Sequence, residues 1–375
     1  MEDVELCRKK EVLHKTLNLP CVLILHISIL LGFLFISSGL GFDRLQYCKL
    51  NLLAERGSNP YDFNQVTAAT GYGFFLTYPP LILEFFARAC NTVPALWYIG
   101  DALAYIGIVL MTLRRTSTIL SHILFVMNFG GLFSGFGAGN IQLYESVAFT
   151  AALVALASRR YSIAGLLLGG AIFLKLQSLL LFPLILLSVI KDRRALTLLC
   201  IATIVSFTLL HLLSAGFNSV LEVAYWEMLR DHVWFKKSDI IIGPREPTLR
   251  NLCIFFAPEA SYMPAIISSV FYTVAVYFAW RSRNGSRYLY LALLFGFVCY
   301  PRLGAYSFSI MLLPTIRILE GLPRSAQLLV VGWSTVSMAI PAIFVTQMPL
   351  VIVSYLTALA VILCSLRTSS VLRLR

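Results

Sequence analysis

Long apolar runs follow one another along almost the whole chain, and they constrain the fold more than any other feature. A helix that crosses a bilayer needs about 20 apolar residues. Runs near this length lie at 20–41, 95–113, 117–136, 141–158, 195–214, 262–281, 287–301, 305–319, 325–345 and 349–366. Only 13% of the residues are charged, against about 25% in a soluble domain. The sequence therefore predicts an all-α polytopic membrane protein in which residues 1–375 form a single transmembrane domain.

The apolar stretch 162–190 is too long for one span, and the polar residues Lys175 and Gln177 interrupt it. Polar groups are costly inside the hydrocarbon. We therefore expect two short helices that meet at these residues, which brings the total to about twelve transmembrane helices.

The basic residues test this count, because Lys and Arg collect in cytoplasmic loops. With about twelve spans, the main basic clusters share one face of the membrane, at 8–10, 114–115, 159–160, 191–194, 281–287, 317–324 and 367–375. We therefore expect both termini to be cytoplasmic. The net charge of +12 then comes from basic loops that orient the chain in the membrane, and we expect no binding of nucleic acid.

Segment 72–90 is apolar enough for a span, but counting it as one would place the later basic pairs outside. Its many aromatic residues suit the membrane interface, so we expect interfacial helices there. The first external loop then covers about 42–94 and the second about 215–261. Because the other loops are short and no endoplasmic-reticulum retention signal is present, we expect a prokaryotic plasma (inner) membrane.

Polar residues gather on the predicted external face, and several have ordinary structural explanations. We interpret Asp62 as a loop or capping carboxylate and Pro79-Pro80 as a helix start. Asp101 and Glu145 are either proton-relay groups or packed, hydrogen-bonded carboxyl groups, and we favour the second interpretation. The eight cysteines show no CxxC pairing, so we interpret them as small core residues rather than disulfides or metal ligands.

Asp43 and Lys175 are harder to explain as structural residues. Asp43 lies at the membrane boundary beside an aromatic loop, where a carboxylate can act as a general base. Lys175 lies in an apolar run, where a fixed cation would pair with an anion that arrives from the lipid. A lipid-linked phosphate is the natural candidate for that anion.

The order of these residues resembles that of GT-C glycosyltransferases that use polyprenyl-phosphate-mannose, the α-mannosyltransferase family GT87. The matching positions are Asp43 with Tyr47, Gly57–Asp62, Tyr78-Pro79-Pro80, Gly139–Gln142, Arg159-Arg160, Ala164–Leu166, Lys175, Pro183, and Pro301-Arg302 with Tyr306. Residues 40–195 carry most of the resemblance, and the C-terminal half matches mainly by topology. Asn140 and Gln142 stand in the reverse of the commoner family order, and Arg44 follows the aspartate where an aromatic or apolar residue is frequent.

The resemblance implies a GT-C fold, with the first external loop packed over a cavity that opens to the outer leaflet. It implies transfer of a sugar, mannose by analogy, from a polyprenyl-phosphate donor to a glycolipid or glycan acceptor, with Asp43 as the base. We assign the donor phosphate to Lys175, Arg302 and Arg245. We assign sugar and acceptor contacts to Arg44, Asn59, Tyr61, Tyr78, Asn140, Gln142 and Tyr306.

A single base predicts an inverting reaction, and a monophosphate leaving group does not demand a metal. The sequence has no GxGxxG after a strand, so we expect neither a nucleotide donor nor a cofactor. The alternative from another class is a polytopic transporter or lipid-linked sugar flippase. Transfer of arabinofuranose, galactose or glucose, and a noncatalytic assembly subunit, are further alternatives.

Overall fold

The computed structural model describes residues 24, 26–28, 42–71, 77–85, 95–113, 140–234, 249, 253, 262–282, 286–300, 309–320, 322–329, 356–357 and 359–363. All regular structure in these ranges is helical. The helices are α1 (Phe42–Glu55), α2 (Phe63–Thr70), α3 (Ala95–Leu113), α4 (Gln142–Ala157), α5 (Tyr161–Leu174), α6 (Gln177–Val189), α7 (Arg193–Phe217), α8 (Ser219–Met228), α9 (Met263–Arg281), α10 (Ser286–Val298) and α11 (Leu312–Leu319). A π-helical segment, Leu229–Trp234, directly follows α8.

The expected helix break at Lys175 is confirmed. Helix α5 ends at Leu174, and Lys175 takes an extended conformation with φ −160° and ψ 130°. Helix α6 then begins at Gln177. The long apolar stretch is therefore a pair of short helices, with a polar interruption between them.

Helices α7 and α9 are long and apolar enough to cross a membrane. Only 22% of the apolar window of α7 and 11% of that of α9 is buried inside the protein. Large apolar side chains such as Ile204 and Leu212 of α7 and Val270 of α9 are instead exposed. Such a surface is unfavourable in water and favourable against lipid, which indicates membrane association.

Several other expected spans correspond to described helices, while the full count of about twelve stays a prediction. Helices α3, α4 and α10 coincide closely with three apolar runs, and α11 is shorter than the run 305–319. The runs 20–41, 117–136, 325–345 and 349–366 lie mostly or wholly outside the described residues.

The two long loops contain helices. Helices α1 and α2 lie within the predicted first external loop, and α8 lies within the second. Asp62 caps α2, accepting hydrogen bonds from the backbone N–H groups of Asn64 at 2.8 Å and Gln65 at 3.0 Å. A further helical stretch, 80–85, begins at the second proline of Pro79-Pro80. The interpretations of Asp62 as a cap and of the prolines as a helix start are thus confirmed.

The interpretation of the cysteines was wrong for two residues, Cys48 and the cysteine that pairs with it. Cys48 in α1 is disulfide-bonded, and its partner lies outside the described residues. The described residues Cys200, Cys253 and Cys299 have free thiols. A pairing in the folded chain is not visible as a CxxC spacing, which is why the sequence pattern missed it.

Helices α5 and α7 pack closely because two glycines of α5 face the α7 backbone. A Cβ atom on Gly165 would lie 2.6 Å from the carbonyl oxygen of Leu199, and one on Gly169 would lie 2.6 Å from that of Thr203. Small residues four apart permit this approach of two helices in a membrane. The hydroxyl of Ser206 adds a 2.9 Å hydrogen bond to the carbonyl of Leu166.

We expect Gly169→Ala to destabilise the protein, because the new methyl group would force α5 and α7 apart. Overpacking of this kind costs about 1–3 kcal/mol. Gly170→Ala is the matched control, since a Cβ there meets nothing within 4 Å. Thermal unfolding should show a lower midpoint for Gly169→Ala and an unchanged or higher one for Gly170→Ala. Equal midpoints for the two variants would contradict the close packing.

Candidate active site

A buried polar site lies where the break between α5 and α6 meets the start of α4. Lys175 at the break is only 8% exposed. Its Nζ donates a 2.6 Å hydrogen bond to Oε1 of Gln142, the first residue of α4. A buried ammonium group needs such partners, because its desolvation is costly.

Glu145 adds a buried carboxyl group to this site. It is fully buried, and its carboxylate accepts hydrogen bonds from Nε2 of Gln142 and from Oγ of Ser178, the latter at 2.6 Å. Gln142 therefore joins the buried ammonium group of Lys175 to the buried carboxyl group of Glu145, and it uses both ends of its amide to do so.

Tyr78 and Asn140 extend this network toward the first external loop. The hydroxyl of Tyr78 donates a 3.1 Å hydrogen bond to Oδ1 of Asn140, which also accepts from the backbone N–H of Gln142 at 2.9 Å. The ring centre of Tyr78 lies 6.0 Å from Nζ of Lys175, within the range of a cation–π contact. An aromatic ring thus lies against the cation.

Tyr61 holds the same segment from the other side. Its hydroxyl donates a 2.9 Å hydrogen bond to the carbonyl oxygen of Tyr78. Burial, reinforced by nearby Tyr225 and Glu222, raises the pKa of Tyr61 well above its usual value. The hydroxyl therefore keeps its proton and remains a donor.

Arg44 forms a second buried ion pair, with Asp101 of α3. Its guanidinium group lies 4.6 Å from the ring centre of Tyr98 and 5.4 Å from that of Trp97. The hydroxyl of Tyr144 donates a 2.9 Å hydrogen bond to the same aspartate. The start of α1 is thereby anchored to α3 and α4, so Arg44 is engaged by the protein itself.

Asp43 immediately precedes this anchor. It lies in the first turn of α1, and its side chain is outside the described part of the structure. Its role as a base stays a prediction. The ion pair of Arg44 nevertheless limits where the backbone of Asp43 can lie.

Asn59 organises the turn between α1 and α2. Its Oδ1 accepts a 2.9 Å hydrogen bond from the backbone N–H of Tyr61, and its own backbone N–H donates to Oε1 of Gln65 at 2.8 Å. These bonds shape the turn, and sugar binding by Asn59 stays a prediction. Arg245, Arg302 and Tyr306 lie outside the described residues.

A cluster around His211 and Glu222 borders the site on the side of α7 and α8. Nδ1 of His211 lies 2.5 Å from Oε1 of Glu222, and Nε1 of Trp226 donates to that oxygen at 3.0 Å. Burial alone would raise the pKa of Glu222, but hydrogen bonds from His211, Ser214 and Trp226 lower it overall. Tyr225 connects this cluster to Tyr61, with ring centres 5.6 Å apart.

The network includes residues to which sequence reasoning had assigned no part in the site. Asp101 and Glu145 were interpreted as packed, hydrogen-bonded carboxyl groups, and that is confirmed. Their partners Tyr144 and Ser178 were not singled out. Glu145 lies three residues after Gln142, on the same side of a helix. That spacing was the available signal, but the link to Lys175 depends on packing between helices.

We expect the ion pair of Arg44 and Asp101 to be strongly coupled. Arg44→Met or Asp101→Leu alone should destabilise the protein by about 3–5 kcal/mol, because each leaves a buried charge unpaired. The double variant should recover most of that loss. Unfolding measurements in detergent would form the double-mutant cycle.

The exposed pair of Arg230 and Asp231 is the matched control, with N–O distance 2.8 Å. Breaking it with Arg230→Met should leave the free energy of unfolding nearly unchanged, because solvent screens an exposed pair. Additive losses for Arg44→Met and Asp101→Leu would show that the buried pair is not coupled.

Comparison with known proteins gives one family match. A model of glycosyltransferase family 87 (GT87) matches residues 73–301, more than half of the chain. No curated protein and no solved structure matches the chain. The matched region contains Tyr78, Asn140, Gln142, Glu145 and Lys175, so it includes the buried network. The resemblance seen in the sequence is confirmed: the chain belongs to glycosyltransferase family 87 and is a glycosyltransferase.

Proposed function

We propose that this glycosyltransferase transfers a sugar, mannose by family analogy, from a polyprenyl-phosphate donor to a glycolipid or glycan acceptor. One observation carries the donor assignment. A buried lysine, Lys175, lies at a helix break inside an apolar stretch of a family 87 chain. A cation at that depth suits a phosphate that remains attached to a membrane lipid.

The arrangement of the turns supports a site on the extracytoplasmic face. The chain runs from the basic turn 159–160 along α5 to Lys175, and then along α6 to the basic turn 191–194. The site thus lies at the end of this hairpin opposite both basic turns. Because basic turns mark the cytoplasmic side, the site faces the other compartment.

Cys48 gives independent support for this orientation. It is disulfide-bonded and lies in α1, within the predicted first external loop. Disulfides persist in oxidising compartments outside the cytosol. We further propose that the enzyme lies in the plasma (inner) membrane of a prokaryote, with a single GT-C domain of about twelve spans and cytoplasmic termini.

The proposed reaction is an inverting transfer with Asp43 as the general base. The carboxylate takes the proton of an acceptor hydroxyl while that oxygen bonds to the anomeric carbon of the donor. The bond from the anomeric carbon to the phosphate oxygen breaks, and its electron pair leaves with the polyprenyl monophosphate. Lys175 stabilises the charge that develops on this leaving group. Arg302 and Arg245 are proposed as further phosphate ligands.

The remaining contacts are proposed for the sugar and the acceptor. They involve the polar and aromatic residues Asn59, Tyr61, Tyr78, Asn140, Gln142 and Tyr306. Arg44 is not among them, because its buried guanidinium group is paired with Asp101. Within this set, Tyr78, Asn140 and Gln142 are joined by hydrogen bonds next to Lys175. They are therefore suited to position the sugar close to the donor phosphate.

Family membership favours an enzyme over the transporter or flippase alternative. Experiment distinguishes the proposal from the remaining alternatives. These are a noncatalytic assembly subunit and transfer of a different sugar, such as arabinofuranose, galactose or glucose. A panel of radiolabelled polyprenyl-phosphate sugars given to the purified protein would identify the donor. A protein that neither binds nor uses any of these donors would refute the proposal.

We expect Asp43→Asn to abolish transfer and to leave donor binding intact, because the amide cannot accept the proton. Loss of a general base typically costs about 10²–10⁴-fold in rate. Asp62→Asn, in the same loop, is the matched control, since asparagine caps a helix as well as aspartate does. Initial rates with saturating donor would check this. Full turnover by Asp43→Asn would exclude Asp43 as the base.

We expect Lys175→Met to weaken donor binding by about ten-fold or more, because a charged hydrogen bond to phosphate is lost. Lys191→Met is the control, since Lys191 is exposed at the opposite end of α6. Titration with labelled donor into both variants gives the comparison. An unchanged dissociation constant for Lys175→Met would remove Lys175 from the phosphate site.

A further inference from the structure

Two buried glutamines lie close to Lys175, Gln142 in space and Gln177 along the chain. Their amide groups differ in their hydrogen bonds. Gln142 bonds to Lys175 with its oxygen and to Glu145 with its nitrogen. Gln177 is 1% exposed, yet neither its Oε1 nor its Nε2 has a hydrogen-bond partner among the described residues. Gln177 therefore carries unused hydrogen-bonding capacity two residues after the buried cation.

An amide in this position is energetically unfavourable in the unliganded protein. Burial of a polar group without a compensating bond is costly, and most buried polar groups are paired. Leucine or methionine at this first turn of α6 would avoid that cost. The absence of a partner among the described residues is explained if a bound molecule supplies the missing bonds.

The position of Gln177 on α6 brings it toward the end of α10. Gln177, Leu181 and Leu184 recur at the spacing of one helical face. Leu181 and Leu184 contact α10 at Gly296, where an added Cβ atom would meet both side chains. Continuing this face toward the start of α6 places Gln177 near the end of α10.

The hydrogen bonds around Lys175 show why a phosphate needs an additional donor. Nζ of Lys175 already donates to Oε1 of Gln142, whose Nε2 donates to the carboxyl group of Glu145. An incoming anion therefore meets an ammonium group whose hydrogen-bonding capacity is partly used within the protein. Neutral N–H donors that are already desolvated bind an anion well in such a place, because no water competes for them.

We propose that Gln177 is a direct ligand of the donor's glycosyl phosphate, an inference that rests on the proposed function. Its Nε2–H group donates to a phosphate oxygen, and its Oε1 accepts from a hydroxyl of the transferred sugar. One amide then contacts the substrate on both sides of the bond that breaks. This makes Gln177 a determinant of which sugar phosphates bind.

The test compares Gln177→Leu with the wild type in two measurements. The first is binding of undecaprenyl monophosphate and of the neutral alcohol undecaprenol to the purified full-length protein. We expect Gln177→Leu to weaken binding of the phosphate about ten-fold and to leave binding of the alcohol unchanged. The second is thermal unfolding without ligand, where we expect an unchanged or higher midpoint, because an unpaired buried amide is removed.

Thr150→Val is the matched control. Thr150 is fully buried in α4, and its hydroxyl also has no partner among the described residues, but it lies two turns away from Gln142. This variant removes a comparable unpaired polar group outside the site. It should bind undecaprenyl monophosphate like the wild type and should unfold at an equal or higher temperature.

The outcomes separate this inference from the proposed function. Wild-type affinity of Gln177→Leu for the phosphate, together with weak binding by Lys175→Met, would overturn the role of Gln177 and leave the proposed function standing. A lower unfolding midpoint for Gln177→Leu, with unchanged phosphate affinity, would show a purely structural amide. If the wild type binds undecaprenol as tightly as the phosphate, the proposed donor class is itself wrong.

Discussion

The site depends on one constraint: a lysine within a long apolar stretch must be compensated before the helices can pack. The backbone becomes extended at Lys175, and the ammonium group reaches Gln142 on the neighbouring helix. Glu145 and Ser178 continue this hydrogen-bond network. Because a buried charge without partners costs several kcal/mol, this contact determines how α4 meets the start of α6. The buried site is therefore a consequence of satisfying one charge.

The first external loop is attached to this centre through a series of polar contacts. Tyr78 bonds to Asn140, and Tyr61 bonds to the backbone of Tyr78. The hydroxyl of Ser214 at the end of α7 accepts from the backbone N–H of Leu81 at 3.1 Å. Separately, Arg44 ties α1 to Asp101 of α3. The protein thus holds the chain around Asp43 at one end of its helix bundle, with a buried ion pair and several hydrogen bonds.

Features that depend on local sequence were predictable. The break at Lys175, the cap at Asp62 and the helix start at Pro79-Pro80 follow from residues close together in the chain, because polar interruption, side-chain capping and the geometry of proline act over a few residues. Features that join distant segments were not. Arg44 is paired across to α3, and Cys48 is in a disulfide, and neither partnership leaves a periodic pattern.

The amino-acid sequence alone established an all-helical chain with apolar helices, a family and a small set of polar residues near Lys175. Hydropathy and spacing suffice for this, because they reflect the solvent around each helix rather than its neighbours. Folding selected the partners within that set. It brought Gln142 and Glu145 to Lys175 and left Gln177 without a described partner. Gln142 and Gln177 have the same side chain but lie in different helices. Packing across the bundle determines which partners each of them can reach.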